Sequence, residues 1–473
     1  MGTKTKIYDA IVIGSGIGGL AAALMLAHQG KKTVVLEKGS SPGGRLASFE
    51  KDGFQIDLGV HVISRSDKGP IGDVLRRVGV ENPIKFTSVR PLSSYHGRTF
   101  IFPHDLKTMV PEEDFDAVMM FLQDIRKMTE EEVKEYDDVD LKTFLKKYTE
   151  DPFVHACIFN ICTVYMCVPS WTASAGEFFR CLRFEAEARS SGYPEGGCRT
   201  IVETYIKAIE QFGGEILTDT PVSKIAVEDG KAKGVWVGSD LYQSDLIVSN
   251  ADIRNTVLNL VEPGHFPADY VEYVKGLKYS WVGPVIRVAL DKKLTDIKML
   301  TQVGTTELEE YYSKVENGVI PEEMNLFMVI PSNFSPSVAP EGKQLVCIGS
   351  PFDPATLNVA WKDLKNAMLD TAEKYIPGLR EHAIWIDSMT PPHLDHLAGE
   401  NGAGIGIAQI VGQCGDKRPK IQTPIKGLYI VGGEAGGTGV GTELCVNSAI
   451  ELIDILKPNR KTGRLGAPSV KVL

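Results

Sequence analysis

Tyr8-Asp9-Ala10-Ile11-Val12-Ile13 runs directly into Gly14-Ser15-Gly16-Ile17-Gly18-Gly19, and these twelve residues decide the fold. A β-branched run that empties into G-x-G-x-x-G reads as a strand ending in a tight, phosphate-cradling turn. The next stretch, Leu20 to Gln29, is rich in Ala and Leu and stops at Gly30, so a helix with a glycine C-terminal cap is expected. A second strand follows over Lys32 to Leu36 and ends on Glu37, 23 positions after Gly14. That spacing suits an acid that accepts hydrogen bonds from a nucleotide ribose, and it completes a βαβ unit. Gly14 permits the tight turn, Gly16 lets backbone approach a pyrophosphate, and Gly19 lets helix and strand pack closely. Ser15 and Gly18 complete the turn, and the helix behind it offers free N–H groups and partial positive charge to phosphate. The unit reads as dinucleotide-binding, without choosing among dinucleotides.

The rest of the composition fits a soluble enzyme-sized chain. At 473 residues it exceeds one ordinary compact core, so two domains sharing one site are expected. A hydrophobic fraction of 43% with 24% charged residues belongs to the globular class. A net charge of −10 argues against a nucleic-acid partner, because phosphate backbones attract clustered Lys and Arg. The eight cysteines show no C-x-x-C pair and no zinc-like spacing, so they read as reduced and mostly structural, with no metal site. The apolar stretch Phe153 to Val168 is broken by His155, Asn160 and Thr163 and falls short of the ~20 residues that span a bilayer. Met1 leads almost at once into a strand, leaving no room for a signal peptide, so a cytoplasmic location is expected.

Further glycine-rich segments recur down the chain. Gly43-Gly44-Arg45 follows Glu37-Lys38 within one short loop, and Phe54-Gln55-Ile56-Asp57-Leu58-Gly59-Val60-His61 comes next. Tyr193-Pro194-Glu195-Gly196-Gly197 leads into a helix over Ile201 to Phe212, and Leu246 to Ser249 ends on Asn250-Ala251-Asp252. Lys426 to Val431 is a buried-looking strand ending on Gly432-Gly433-Glu434, after which Gly436, Gly437, Gly439 and Gly441 precede a helix from Thr442 to Leu456. This series, spread over nearly the whole chain, resembles the flavoprotein superfamily of phytoene desaturases, carotenoid isomerases, amine oxidases and Rab GDP-dissociation inhibitors. It is most similar to the desaturase and isomerase branch.

The resemblance implies an FAD cofactor. It implies that Glu37 and its neighbour Lys38 lie at the ribose, that Gly44 and Arg45 follow the pyrophosphate and ribityl chain, and that Gly59, Val60 and His61 pass near the flavin ring. It further implies that Val222 meets adenine through backbone atoms, that Asn250 and Ala251 return to the nucleotide, and that Gly433-Glu434 bring a carboxylate to a ribityl hydroxyl. Gly441 and Thr442 would open a helix whose partial positive charge faces the flavin pyrimidine. His61 is the titratable residue placed nearest the flavin, as a hydrogen-bond donor, a proton shuttle or a satisfied structural histidine.

The expected fold class is α/β: a Rossmann-like FAD-binding domain, its parallel sheet overlaid by an antiparallel layer, plus a discontinuous mixed α+β substrate domain. Residues 1–105, 190–255 and 401–456 are assigned to the first, 106–189 and 256–400 to the second, and 457–473 to a basic tail. Ile225-Ala226-Val227 and Val235-Trp236-Val237 carry the alternation of the antiparallel layer. In the substrate domain Phe115, Val118, Met119, Leu122 and Ile125 recur at helical spacing. Val285 to Leu290, Leu326 to Ile330, Leu345 to Ile348 and Ala383 to Ile386 read as strands, and Gly402-x-Gly404-x-Gly406 as a plain loop. Tyr165, Trp171, Phe178 and Phe179 are candidate lining for an apolar tunnel. The function implied is FAD-dependent chemistry on carbon–carbon bonds of an apolar polyprenyl or acyl small molecule, by desaturation, saturation or isomerisation, with room for peripheral membrane contact. One fingerprint only means that an electron donor or acceptor binds elsewhere or shares the cleft. That partner and the oligomeric state stay open, as do a flavin amine oxidase and a non-catalytic lipid-binding protein of the GDP-dissociation-inhibitor type.

Overall fold

Strand Ala10–Ile13, helix Ile17–His28 and strand Thr33–Leu36 form the expected βαβ unit, with the two strands paired in parallel. The structure is a computed structural model and describes residues 4–59, 61–399 and 402–457, so Val60 and nearly all of the tail lie outside the described residues. Every residue of the helix but His28 is buried, which fits its apolar character on all sides. It packs between helices Arg199–Gln211 and Thr442–Leu456. Its strands belong to a five-stranded parallel sheet in the order Glu215–Leu217, Thr33–Leu36, Ala10–Ile13, Ile247–Ser249, Leu428–Ile430. Segments from three distant stretches of chain thus meet in one sheet, and the nucleotide turn lies at its carboxyl ends, where α/β sheets bind ligands.

An antiparallel layer of Asp240–Gln243, Lys231–Val237 and Lys224–Glu228, joined by Thr5–Ile7, packs on this sheet through Ile225, Val235 and Tyr242 against Ile11, Val34 and Ile247. A separate seven-stranded sheet runs Ala383–Met389, Val285–Leu290, Gln344–Gly349, Leu326–Val329, Met299–Val303, Leu92–Tyr95, Arg98–Phe100. Val285–Leu290 and Gln344–Gly349 are buried at every position because both faces are covered. Ile286, Val288 and Ile348 join the large helical core, whereas Ala289, Leu345 and Cys347 meet Phe54 and Ile56 on the other side. The four runs read as strands all fall in this sheet, together with two short strands from residues 92–100.

Helices Glu112–Lys127, Pro152–Met166 and Ala175–Ala188 supply the rest of that core. The buried stripe of the first is Val118, Phe121 and Ile125, while Met119 is 43% exposed. Phe115 and Leu122 pack, partly buried, against the same core, so of the expected stripe only Met119 faces out, and Phe121, which packs against Phe144 and Tyr148, joins the buried face. Among the described residues no helix is long and apolar enough to cross a membrane, no group of side chains could hold a metal ion, and all eight cysteines are free.

Candidate functional site

A cavity of about 940 Å³ begins at the glycine turn and continues between the parallel sheet and the seven-stranded sheet. That volume lies at the upper end of ligand pockets, which span roughly 300–1,000 Å³. At the turn, Gly14 takes φ +89°, and a Cβ on Gly19 would sit 2.3 Å from the Gly14 carbonyl oxygen, so neither position admits a side chain. Glu37 is buried at the end of its strand. Its Oε2 accepts from the Ser15 N–H at 2.9 Å and the Ser15 hydroxyl at 2.6 Å, and its Oε1 accepts from the Gly39 N–H at 2.8 Å. The Gly43 N–H donates in turn to Ser15 Oγ at 3.0 Å. The acid therefore ties the first glycine loop to the second. A carboxylate has about four acceptor positions, so capacity remains on Oε1. The backbone of Thr220 donates to the Glu37 carbonyl and that of Asp219 to Gly39, which brings Pro221 and Val222 to the cavity wall beside the acid. Lys38 also lines the cavity and donates from Nζ to the His396 carbonyl at 2.9 Å.

Asn250 caps strand Ile247–Ser249, donating its N–H to the Ile13 carbonyl, and its side chain fills the space that Gly16, Gly18 and Gly432 leave open. Ala251 lines the wall next to it. Glu434 is buried, with its Oε1 where a Cβ on Gly406 would fall. Burial pushes its carboxyl well above the ordinary carboxylate range, the neighbouring Asp252 carboxylate adds to the push, and Arg45 and Arg418 oppose it. Arg45 donates from Nη1 to the Ile405 carbonyl at 2.8 Å and keeps a buried Nε without a partner, as Arg418 does its Nη1. The loop at Gly402–Gly406, read as plain from the sequence, brings Ala403, Gly404 and Ile405 to the cavity and is the platform for Arg45.

His61 lies against Gly59, whose Cβ would meet the imidazole at 2.6 Å, and both line the cavity. The His61 ring nitrogen Nε2 is 3.1 Å from the Arg45 carbonyl oxygen. A carbonyl only accepts, so Nε2 carries the proton and Nδ1 is left as an acceptor. Burial lowers the pKa of this imidazole; the Asp57 charge and the bond to Arg45 oppose that, and Arg287 adds to it. The neutral ring is therefore favoured.

Asp57 joins two motifs that the sequence shows 136 residues apart. It accepts from the Tyr193 hydroxyl at 2.5 Å, the Cys198 N–H at 3.1 Å and the Ser48 hydroxyl at 2.7 Å. Arg287, buried in the seven-stranded sheet, donates to the carbonyls of Asp57 (3.1 Å) and Leu58 and to Asp387 at 2.7 Å. The segment carrying Gly59 and His61 is thus braced from both sides. Gly441 and Thr442 line the cavity where helix Thr442–Leu456 begins. In its first turn Glu443 accepts from the Arg65 guanidinium and, at 3.3 Å, from the Val440 N–H.

Of the sequence-chosen cofactor residues, all but Gly19 and Val60 line this one cavity. Gly19 sits behind the turn, and Val60 is outside the described residues. Tyr165 is the one of the four proposed tunnel aromatics on the wall; Phe178 and Phe179 are fully buried core, and Trp171 stacks on Phe159. The residues fit FAD on two observations: a cradle of glycine backbone at 14–19 and 43–44, and a guanidinium on the cavity wall, Arg45, whose buried Nε has unmet hydrogen-bonding capacity near the buried acid Glu434. Sequence reading missed Ser64 and Arg287, whose partners Glu185 and Asp57–Leu58 lie more than a hundred positions away, and with them Glu185, Ser191 and Arg418.

Comparison with known proteins gives concordant results. The family model described as flavin containing amine oxidoreductase matches residues 17–451. The chloroplastic prolycopene isomerase of Daucus carota is 28% identical over 91% of this chain and 77% of its own length. The zeta-carotene-forming phytoene desaturase of Myxococcus xanthus is 24% identical over 94% of this chain and 93% of its own. Among solved structures, an oxidoreductase from Methanosarcina mazei superposes with a TM-score of 0.76, covering 94% of this chain and 100% of that one at 22% identity.

Proposed function

The chain belongs to the flavin-containing amine oxidoreductase family and is an FAD-dependent oxidoreductase, and we propose that it acts on carbon–carbon bonds of an apolar substrate, by desaturation, saturation or isomerisation. The observation that carries this reading is the continuity of the cavity, which passes from the glycine turn into walls of Val62, Val89, Pro91, Val164, Met299 and Phe327. Those walls can bury hydrocarbon at about 25 cal/mol per Å² while keeping it in reach of the cofactor. The relatives named isomerase and desaturase support the same substrate class.

Glu37 and the Ser15 loop would hold the ribose end, Arg45 and the glycine backbone the pyrophosphate, and Glu434 the ribityl chain. The N-terminus of Thr442–Leu456 would face the flavin ring with partial positive charge. Bound FAD supplies the hydride donor or acceptor. The chain's own share is to orient the carbon skeleton, exclude water and, at His61 Nδ1, accept a proton or a hydrogen bond next to the ring. We assign residues 1–105, 190–255 and 401–456 to FAD and 106–189 and 256–400 to substrate, with the strands at 92–100 serving the substrate sheet. A cytoplasmic protein with peripheral lipid contact suits such a substrate, and its electron partner is external or alternates in the same cavity.

The test is to photoreduce the flavin without oxygen and add candidate alkenes, then to offer saturated partners and amines to the oxidised form. Flavin reoxidation by an alkene, or reduction by its saturated partner, is expected. Reduction by an amine and by no carbon–carbon substrate would overturn the reading in favour of an amine oxidase.

A further inference from the structure

Among the carboxylates that line the mostly apolar cavity, Glu185 is one to which the cofactor assignment above gives no part. Glu185, near the end of helix Ala175–Ala188, lines the cavity together with Ser64 and Ser191. The Ser64 hydroxyl donates to Glu185 Oε1 and the Ser191 hydroxyl to Oε2, so each oxygen carries one protein donor. Behind them Arg65 is already engaged: its Nε bonds Glu443, its guanidinium stacks 4.5 Å above the Phe184 ring, and its backbone carbonyl accepts from Ser190 at 2.9 Å. Arg65 and Ser66 are consecutive non-glycine residues in the left-handed region, at φ 51° and 46°. Such backbone persists only where its surroundings hold it, and here it delivers Ser64 to Glu185.

A carboxylate inside an apolar cavity is costly unless donors satisfy it. Two hydroxyls meet half of the roughly four acceptor positions of Glu185, which leaves capacity toward the cavity. We propose that Glu185, held by Ser64 and Ser191, is a specificity-determining residue that binds the polar end of the substrate, which is therefore a long hydrocarbon bearing a hydrogen-bond donor, a hydroxyl or a protonated amine, at one end. This rests on the carbon-substrate reading above and narrows it. A hydrocarbon lacking a donor leaves the carboxylate without its third partner, and one with an acceptor only, such as an ester or a carboxylate, is repelled.

The experiment titrates the FAD-loaded protein anaerobically, following flavin absorbance, with three polyenes of matched chain: the hydrocarbon, its terminal alcohol and its terminal primary amine. In the native protein the alcohol or the amine binds at least about tenfold tighter than the hydrocarbon, the equivalent of one hydrogen bond to a charged group. Which of the two donors wins identifies the end group. Glu185→Gln lowers the affinity for the donor-bearing ligand about tenfold more than that for the hydrocarbon, and Glu185→Asp, which keeps the charge but withdraws it, does so by about threefold or more. The comparison in the native protein needs no variant, so poor folding of either one does not shelter the idea. Hydrocarbon binding with no preference for a donor, or a preference that survives Glu185→Gln, overturns this inference alone. Silence of the flavin toward all three overturns the carbon-substrate reading, and this inference with it.

Discussion

Removing the Glu37 carboxylate is expected to cost the protein at two places. Toward FAD, the loss is that of charge-assisted hydrogen bonds to the ribose, about 1–3 kcal/mol, or roughly 5- to 150-fold in affinity. Toward the fold, the Ser15 N–H, the Ser15 hydroxyl and the Gly39 N–H all lose an acceptor lying 2.6–2.9 Å away. Gly43, which donates to Ser15 Oγ, is left leaning on a hydroxyl without an anchor. The second glycine loop therefore loosens with the first, and the affinity of Glu37→Ala falls toward the weak end of the range. The assay is fluorescence titration of FAD into apoprotein for Glu37→Ala, Ser15→Ala and the double variant. Because the two side chains share a hydrogen bond, the double variant loses less than the sum of the singles, by about 0.5–3 kcal/mol. Unchanged FAD affinity in a folded Glu37→Ala would refute the fingerprint reading. Strictly additive losses would refute the network.

The FAD should be tight but noncovalent, so acid denaturation and filtration release all the yellow colour into the filtrate, and colour retained on the polypeptide contradicts this. Glu434 has a folded pKa raised to about 8 from 4.5, so the folded apoprotein holds a proton there that the unfolded chain gives up. Its stabilising contribution is full below the ordinary value and is lost as pH rises through that window, by at most about 1.4 kcal/mol per pH unit. Melting of native apoprotein and Glu434→Gln from pH 5 to 8 should show the slope flattened in the variant, and parallel curves would dismiss the assignment. Arg65→Met leaves Glu443, whose side chain is 1% exposed, without its cation, and urea denaturation should show a loss of about 3–5 kcal/mol, most of it recovered in Arg65→Met/Glu443→Leu. A variant as stable as the native protein would mean that the pair is incidental.

The βαβ unit was legible because its signals are local: a β-branched run, three spaced glycines, an Ala-rich helix and a terminal acid lie within thirty residues. The more distant strands Ile247–Ser249 and Leu428–Ile430 could be placed in the same sheet only through the family resemblance, since nothing in their own pattern names a partner. Composition could not separate tunnel from core. Tyr165, on helix Pro152–Met166, reaches the cavity, whereas Phe178 and Phe179, on helix Ala175–Ala188, are fully buried in the core, and apolar character alone does not say which face of each helix meets the cavity. Bonds such as Asp57 to Tyr193, Ser64 to Glu185 and Arg287 to Leu58 leave no periodic trace, since each joins residues more than a hundred positions apart.

Those invisible bonds have a common purpose in the geometry. One end of the cavity is built from backbone and local side chains at the parallel sheet, and the other from the seven-stranded sheet and the segments around it. Reactivity depends on the seam between them, where Leu58, Gly59 and His61 line the wall. Of that segment, the described residues Leu58, Gly59 and His61 belong to no helix or strand that could hold them. The segment is held instead by Arg287 reaching across from the seven-stranded sheet to the carbonyls of Asp57 and Leu58, and by Asp57 gripping Tyr193 and Cys198 at the entry to helix Arg199–Gln211. A guanidinium suits that position because its several fixed donors can bind two carbonyls and the Asp387 carboxylate at once, which an ammonium on a flexible stem could not hold in one geometry. The position of the wall at Leu58, Gly59 and His61 is thereby set by hydrogen bonds that cross the seam, so substitution of Arg287, which is not itself among the residues lining the cavity, is expected to disturb the site from a distance.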